Sequence, residues 1–271
     1  MTEQGFTADQ IDTSLPHPAR MYDYFLGGKD NYEVDREAAD RVLAAAPEVA
    51  VFARANRAFL ARAVRHLARS GVRQFIDIGT GIPTSPNTHE VAQAVDSEVR
   101  VAYIDNDPIV ATHAGARLLG TGNTGFFLGD MRDPSTILGH PTIGELIDVQ
   151  EPIAVLLVSV LHFVGDADDP AGLLAAYRRA LPPGSFLVLS HATADFHREE
   201  AVEVAEIYKN STAPLTPRTH AQVLDLFAGF ELVEPGLVQV HQWRPDEDAA
   251  PHGGGPVGVY GGIGKVAGGP A

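Results

Sequence analysis

The 271 residues contain no cysteine. Disulfides, thiolate nucleophiles, cysteine-ligated zinc and iron–sulfur clusters are thereby excluded. Long apolar runs are missing too. The longest, Ile153 to Val160, falls far short of the roughly 20 residues that cross a bilayer, so no membrane partner is expected. The polar first 18 residues lack the apolar core of a secretion signal, which makes a cytoplasmic location the default expectation. Positive charge is scarce as well. Twenty Lys and Arg stand against 35 Asp and Glu, a net charge of −15. Such a chain repels a polyanion on average, so no nucleic-acid partner is expected.

What is present is enough apolar material, 45% of residues, for one large core. Residues 1–70 read as an N-terminal arm and helical cap, and residues 71–271 as the main domain, the two forming one compact unit. Within the cap, Arg20 to Lys29 reads as a short helix ending at Gly27-Gly28, and Asp35 to Ala46 as a second. The segment Pro47 to Ser70 is the clearest helix: Val49, Phe52, Asn56, Phe59, Leu60, Ala63, Val64 and Leu67 recur at spacings of three and four. Its arginines 54, 57, 62, 65 and 69 read as a solvated face. From Gln74 onward short β-branched runs alternate with helical stretches, which implies a parallel sheet covered on both faces. The runs 231–233, 237–243 and 257–266 read as late strands.

Three strand ends carry chemistry. The first run ends in Asp77-Ile78-Gly79-Thr80-Gly81, followed by a helix from about Asn87, with Asn87 and Glu90 spaced as a capping pair. Glycines there let the backbone turn sharply and approach a ligand. The strict Gly-x-Gly-x-x-Gly of dinucleotide folds fails at Thr84, and Pro83 removes a backbone donor that a pyrophosphate would need. The second run ends at Asp105, where a carboxylate can accept from ribose hydroxyls. Asp107 can instead cap the helix that starts at Pro108. The third ends at Gly129-Asp130-Met131, an acceptor for an adenine amino group beside a polarisable side chain that can pack on a ring. Open parallel sheets bind ligands at this edge.

Together these residues resemble the class I S-adenosylmethionine (SAM) dependent methyltransferases. Pro83 stands where that family's first motif has a third glycine. Val158-Ser159-Val160-Leu161-His162-Phe163 and Leu181-Pro182-Pro183-Gly184-Ser185-Phe186-Leu187-Val188-Leu189 are similar to its fourth and fifth strand segments. Pro18 to Tyr32, Asn87-Thr88-His89-Glu90, Tyr103 to Pro108 and Tyr260 to Gly264 look like one bacterial SAM methyltransferase family long catalogued as a domain of unknown function. The resemblance covers about residues 16–266. It implies an α/β, Rossmann-like class I SAM methyltransferase fold: a seven-stranded, mostly parallel sheet with helices on both faces and an N-terminal helical extension. It implies SAM as cofactor, held by Asp77, Gly79, Thr80, Gly81, Asp105, Asn106, Asp107, Gly129, Asp130, Met131 and Ser159.

Methyl transfer needs alignment, exclusion of water and, for some acceptors, a base. His162 is the first candidate base and His191 the second. Asp195, His197, Glu199 and Glu200 read as a solvated helix start rather than a metal site. Arg20, Tyr22, Asp23, Tyr24, Lys29 and Asp30 form a candidate lid over cofactor and substrate. The expected acceptor is a small molecule, and a homodimer is compatible with the sequence. Two alternatives stay open: a non-catalytic binder of SAM or S-adenosylhomocysteine (SAH), and, less favoured, a nicotinamide-dependent oxidoreductase.

Overall fold

A computed structural model of the protein describes residues 12–118, 122–246 and 254–267. The cap contributes α1 (Pro18–Phe25), α2 (Glu33–Ala45) and α3 (Val49–Arg69). Then come β1 (Gln74–Ile78), α4 (Thr88–Gln93), β2 (Arg100–Asp105), α5 (Pro108–Arg117), β3 (Thr124–Leu128), α6 (Pro134–Leu138), α7 (Pro141–Leu146), β4 (Ala154–Val158) and α8 (Pro170–Ala180). The chain continues with β5 (Phe186–Ala192), α9 (Arg198–Tyr208), α10 (His220–Asp225), β6 (Phe230–Leu232), β7 (Val238–Gln239) and β8 (Val259–Val266). The sheet order is β3-β2-β1-β4-β5-β8-β6, with β1 to β5 parallel and β8 antiparallel to both β5 and β6. The eighth strand, β7, adds two residues along β8. Among the described residues no helix is long and apolar enough to cross a membrane.

The resemblance implies seven strands where the sheet has eight, and the sequence reads 237–243 as one late strand. That run is apolar for a different reason. Only Val238 and Gln239 pair, and Val240–Gln242 then coils into a 3₁₀ turn. Val240 and Trp243 are buried with Phe59 of α3, against which the Trp243 ring packs edge-on. Arg62 of α3 donates to the carbonyls of Val240 (2.7 Å) and Trp243 (2.9 Å). Arg57 likewise holds backbone carbonyls, so these two arginines are structural clasps and not part of a solvated face.

Strand parity decides where the acids point. In β1, Ile76 and Ile78 enter the core under α6, α7 and α8, whereas Phe75 enters the core under α3 and α4. Asp77 shares the Phe75 parity. In β2, Val101 and Tyr103 belong to that same α3 side, which sends Asp105 there as well. The apolar stripe of α3 covers this face; full burial of a side chain such as Phe59 or Leu67 contributes about 1.5–3 kcal/mol.

The cap packs on α9 through Met21, Phe25, Ala38, Ala39, Val42, Ala53, Val204 and Tyr208. One buried carboxylate ties its entry and exit together. Asp35, fully buried, accepts from the His17 N–H through Oδ1 and the Tyr32 N–H through Oδ2, both at 2.9 Å. The equally buried Arg20 guanidinium lies 3.5 Å from Oδ1. Gly28 is confined by the same segment, since a Cβ there would fall 2.0 Å from Asp23 Oδ1. Removing one partner of a buried ion pair leaves an uncompensated charge, so Asp35→Ala should cost about 3–5 kcal/mol of unfolding free energy. Asp35→Asn should cost less, because the amide oxygen still accepts one N–H. Urea denaturation reads both; wild-type stability in Asp35→Ala would mean that the cap is held elsewhere.

Candidate active site

The bend after β1 is built from inter-strand hydrogen bonds. Gly79 and Thr80 donate their N–H groups to the Ile104 carbonyl at 2.8 and 3.1 Å, and Gly81 donates to Asp105 Oδ2 at 2.8 Å. Gly79 has φ +72°, and a Cβ on it would lie 2.3 Å from Val160 Cγ2. Conformation and space therefore both demand glycine. Beyond Pro83, Arg57 fastens the loop by donating Nη2 to the carbonyls of Thr84 (2.5 Å) and Pro86 (2.7 Å). Asn87 and Glu90 form the capping box of α4, as their spacing foretells.

Three acids converge beside this bend, all buried. Asp77 accepts from the Thr88 hydroxyl at 2.6 Å. Burial pushes its carboxyl up to about 6, against the opposing pull of Thr88 and Arg57. Asp105 accepts the Gly81 N–H on one oxygen and the Asp107 N–H, at 3.0 Å, on the other. Burial raises its pKa as well, opposed by those two N–H groups and by His17. Asp107 caps α5 through Oδ1, which accepts from the Ile109 N–H at 2.9 Å. Its Oδ2 lies 3.1 Å from His17 Nδ1 and 3.8 Å from Arg20 Nε, without a well-directed hydrogen bond. The adenine-side acid is different. Asp130 is gripped through both oxygens by Arg132, at 2.6–3.1 Å, and Arg132 also donates its own N–H to Oδ1. These bonds occupy most of the acceptor capacity of Asp130.

At the ends of β4 and β5 a chain of hydrogen bonds, buried at its centre and half-buried at its ends, joins the sheet to the cap. Ser159 stands in the left-handed region with φ +56° and donates its N–H to Ser190 Oγ at 2.8 Å. Ser190 Oγ donates to Asn56 Oδ1 at 2.6 Å. Asn56 Nδ2 donates to the Tyr22 hydroxyl at 3.0 Å, and Tyr22 donates to the Ala53 carbonyl at 3.0 Å. Every member has a partner, so the chain holds Tyr22 rigidly against the strand ends. Neither Asn56 nor Ser190 was visible as a site residue, since 134 positions separate them.

The two histidines diverge. His191 is fully buried; its Nδ1 is 2.8 Å from the Ala192 carbonyl and its Nε2 2.9 Å from Arg218 Nη1. Both ring nitrogens are thus engaged inside the protein. Burial lowers its pKa to about 4, so the ring is neutral. Nδ1 therefore donates and Nε2 accepts. Arg218 goes on to donate to the Val164 carbonyl and to Asp166, fixing the loop after β4. His162 lines the cavity, but its Nδ1 accepts the Ala192 N–H at 3.2 Å. Burial, with His191 and Arg218 adding to it, holds its pKa well below the usual imidazole range. The neutral ring consequently carries its proton on Nε2. It offers a donor where a base needs a lone pair.

One cavity of about 700 Å³ gathers these groups. Its lining includes Asp77, Gly79, Thr80, Gly81, Asp105, Asn106, Asp107, Gly129, Asp130, Met131, Ser159 and His162, and from the cap Arg20, Tyr22 and Asp23. It excludes four of the expected residues. His191 is sealed beneath it. Tyr24 turns its hydroxyl to Asp40 at 2.9 Å, Asp30 pairs with Arg117 at 2.8 Å, and Lys29 is exposed. Asp23 itself is an anchor, accepting from the Asp30 N–H and Asn31 Nδ2. The segment expected as a lid is tied down at both ends. Among the described residues no group of three or more His, Asp or Glu is placed to hold a metal ion.

The sequence profile of a family described as S-adenosyl methyltransferase matches residues 4–267. Solved structures are similar over the same length. A DUF574 family protein from Streptomyces avermitilis shares 45% identity, with 94% of this chain and 98% of that chain covered and a TM-score of 0.90. A protein from Thermobifida fusca, provisionally assigned as a methyltransferase, shares 41% identity over 95% and 97% of the two chains, with a TM-score of 0.89. At 18% identity, a Haloferax volcanii protein solved with a methyltransferase activator shares the fold, with a TM-score of 0.50 over 83% of this chain and 97% of that one. No curated protein matches. With a profile match spanning nearly its whole length, the chain belongs to the S-adenosyl methyltransferase family and is a SAM-dependent methyltransferase.

Proposed function

We propose that the cavity holds SAM along the edge formed by β1, β2 and β3 and passes its methyl group to a small-molecule acceptor seated under the cap. The observation that carries this reading is the shared cavity: the glycine bend, Asp105 and the Gly129-Asp130 turn line one space. The residues fit the cofactor. Asp105 keeps a lone pair on each oxygen after its two backbone contacts, so ribose hydroxyls would find an acceptor here. The space a Cβ of Gly79 would need is already filled by Val160, which keeps the bend low. Arg57 lines the cavity and, among the described residues, has no carboxylate within ion-pair distance, so it suits the methionine carboxylate. When bound, SAM supplies the electrophilic methyl on its sulfonium. The chain's own residues orient the two partners and exclude water. A small acceptor agrees with the net charge of −15, which disfavours nucleic acid.

Charged hydrogen-bond acceptors are worth about 1.5–3 kcal/mol each. Asp105→Ala should accordingly weaken SAM and SAH binding about 10- to 100-fold by calorimetry; wild-type affinity would show that the ribose contact lies elsewhere. Asp77 yields a second test. Its folded-state pKa, about 6, stands above the ordinary 3.8, so the folded protein holds this proton more tightly than the unfolded chain. Ionising it destabilises the fold as pH rises from 4 to 6, and the full penalty is present at pH 7. Roughly two pKa units correspond to about 3 kcal/mol. Asp77→Asn keeps an acceptor for Thr88 and removes the charge. Without cofactor it should be more stable than wild type at pH 7.5, the gap should shrink towards pH 5, and SAM affinity should fall. If Asp77→Asn leaves stability at pH 7.5 unchanged, the argument that this carboxylate is kept for binding is removed.

A further inference from the structure

The cavity does not end at the cofactor edge. It continues between the cap and α9, where Phe25, Phe52, Phe163, Val204 and Leu215 form its walls. The lining also carries polar residues, among them Glu48 of the cap and His197 and Glu200 at the start of α9, and two further polar side chains, each more than nine-tenths buried, have no protein partner at their tips. Tyr208, at the last turn of α9, is 7% exposed, and its hydroxyl makes no hydrogen bond among the described residues. His162 is 7% exposed, and only its Nδ1 is bonded, to the Ala192 N–H. Both rings pack on Phe163, at centroid distances of 4.5 Å for His162 and 5.7 Å for Tyr208. They therefore flank one aromatic ring on one wall.

Their tips stay accessible from the cavity, and a pocket with apolar walls and a few convergent polar groups is the common form of a small-molecule site. The two groups differ in what they offer. Neutral His162 has a single N–H donor left. Burial pushes the Tyr208 phenol up, so it stays protonated and can either donate or accept. A hydroxyl or carbonyl oxygen can accept from either group. An ammonium brings only donors and meets the His162 N–H unfavourably. A carboxylate would enter an apolar space with no cation to pair with on this wall, a costly desolvation.

We infer that the Tyr208 hydroxyl and the His162 Nε2–H form the acceptor-recognition site, and that the acceptor is an uncharged, largely apolar molecule that presents a hydroxyl or carbonyl oxygen to them. This rests on the methyl-transfer reading of the cavity and goes beyond it in naming the class of acceptor.

The experiment uses the full chain saturated with SAH and four fluorinated probes read by ¹⁹F NMR: 4-fluorophenol, fluorobenzene, 4-fluorobenzoate and 4-fluorobenzylamine. 4-Fluorophenol should bind about tenfold more tightly than fluorobenzene, the increment of one or two neutral hydrogen bonds. The two charged probes should bind more weakly than either. Tyr208→Phe and His162→Asn, which keeps an acceptor for the Ala192 N–H, should each narrow the phenol preference to about two- to threefold, with fluorobenzene and SAH affinities unchanged. Val204→Trp, which fills the chamber, should abolish binding of both neutral probes and leave SAH affinity intact, which also reports that the variant is folded. A phenol preference that survives both Tyr208→Phe and His162→Asn overturns the inference. So does tighter binding of a charged probe, or no binding of either neutral one. Loss of SAH binding by the wild-type protein would instead overturn the cofactor reading, and the probe series in SAH-free protein would still read the chamber.

Discussion

Three buried carboxylates at one sheet edge are the constraint around which the rest of this structure is arranged. Asp77, Asp105 and Asp107 all lie in low-dielectric surroundings next to a glycine bend. Charges of one sign do not collect there without compensation. The compensation is local and specific: the Thr88 hydroxyl, the N–H groups of Gly81, Asp107 and Ile109, and from the arm the Arg20 guanidinium, with the His17 ring beside it. The arm is therefore more than a cover. It brings cationic character to the acids that the sheet places at its own edge, and Asp35 in turn keeps Arg20 in place. Even so, the balance is incomplete, since burial still raises both Asp77 and Asp105.

The second arrangement is mechanical. The chain Ala53–Tyr22–Asn56–Ser190–Ser159 runs from α3 through α1 to the ends of β5 and β4. It is fully paired, and its centre is buried, so movement of the cap would leave Asn56 and Ser190 unsatisfied at a cost of about 1–3 kcal/mol each. Ser159, at φ +56°, stores strain that this chain holds in place. Such a cap behaves as a fixed wall. Together with the Asp23 and Asp35 anchors, this argues that the walls of the cavity are preorganised, in line with a reaction whose main demand is alignment.

What could be read from sequence follows from how local each signal is. The glycine bend and Asp105 were legible because an apolar run of strand length stops directly at them, and strand parity then places Asp77 and Asp105 on one face. The α4 cap was legible for the same reason, since Asn87 and Glu90 are three residues apart. The lid residues were half legible. Arg20, Tyr22 and Asp23 line the cavity, whereas Tyr24 and Asp30 answer to Asp40 and Arg117, partners that no local pattern names. Arg57, Arg62, Asn56, Ser190 and Tyr208 were illegible as site or clasp residues, because their contacts reach across the sequence, from 27 positions for Arg57 to 181 for Arg62. The run 237–243 misled for a related reason. Apolar residues mark burial, and burial beneath α3 needs no strand pairing.

The histidines show why residue type is a poor guide to acid–base role when backbone register is unknown. Parallel pairing of β4 with β5 carries Ser190 opposite Val158, and two residues further on the Ala192 N–H meets the ring of His162. That single contact orients the ring and at the same moment occupies the lone pair that general-base catalysis would use. Arg218 does the equivalent to His191. Neither imidazole is then free to take a proton from a molecule in the cavity. A nucleophile that reacts here must be competent without these two rings. What this part of the fold offers is placement: a neutral donor at a set position and a phenol across the Phe163 ring, both on the cavity wall.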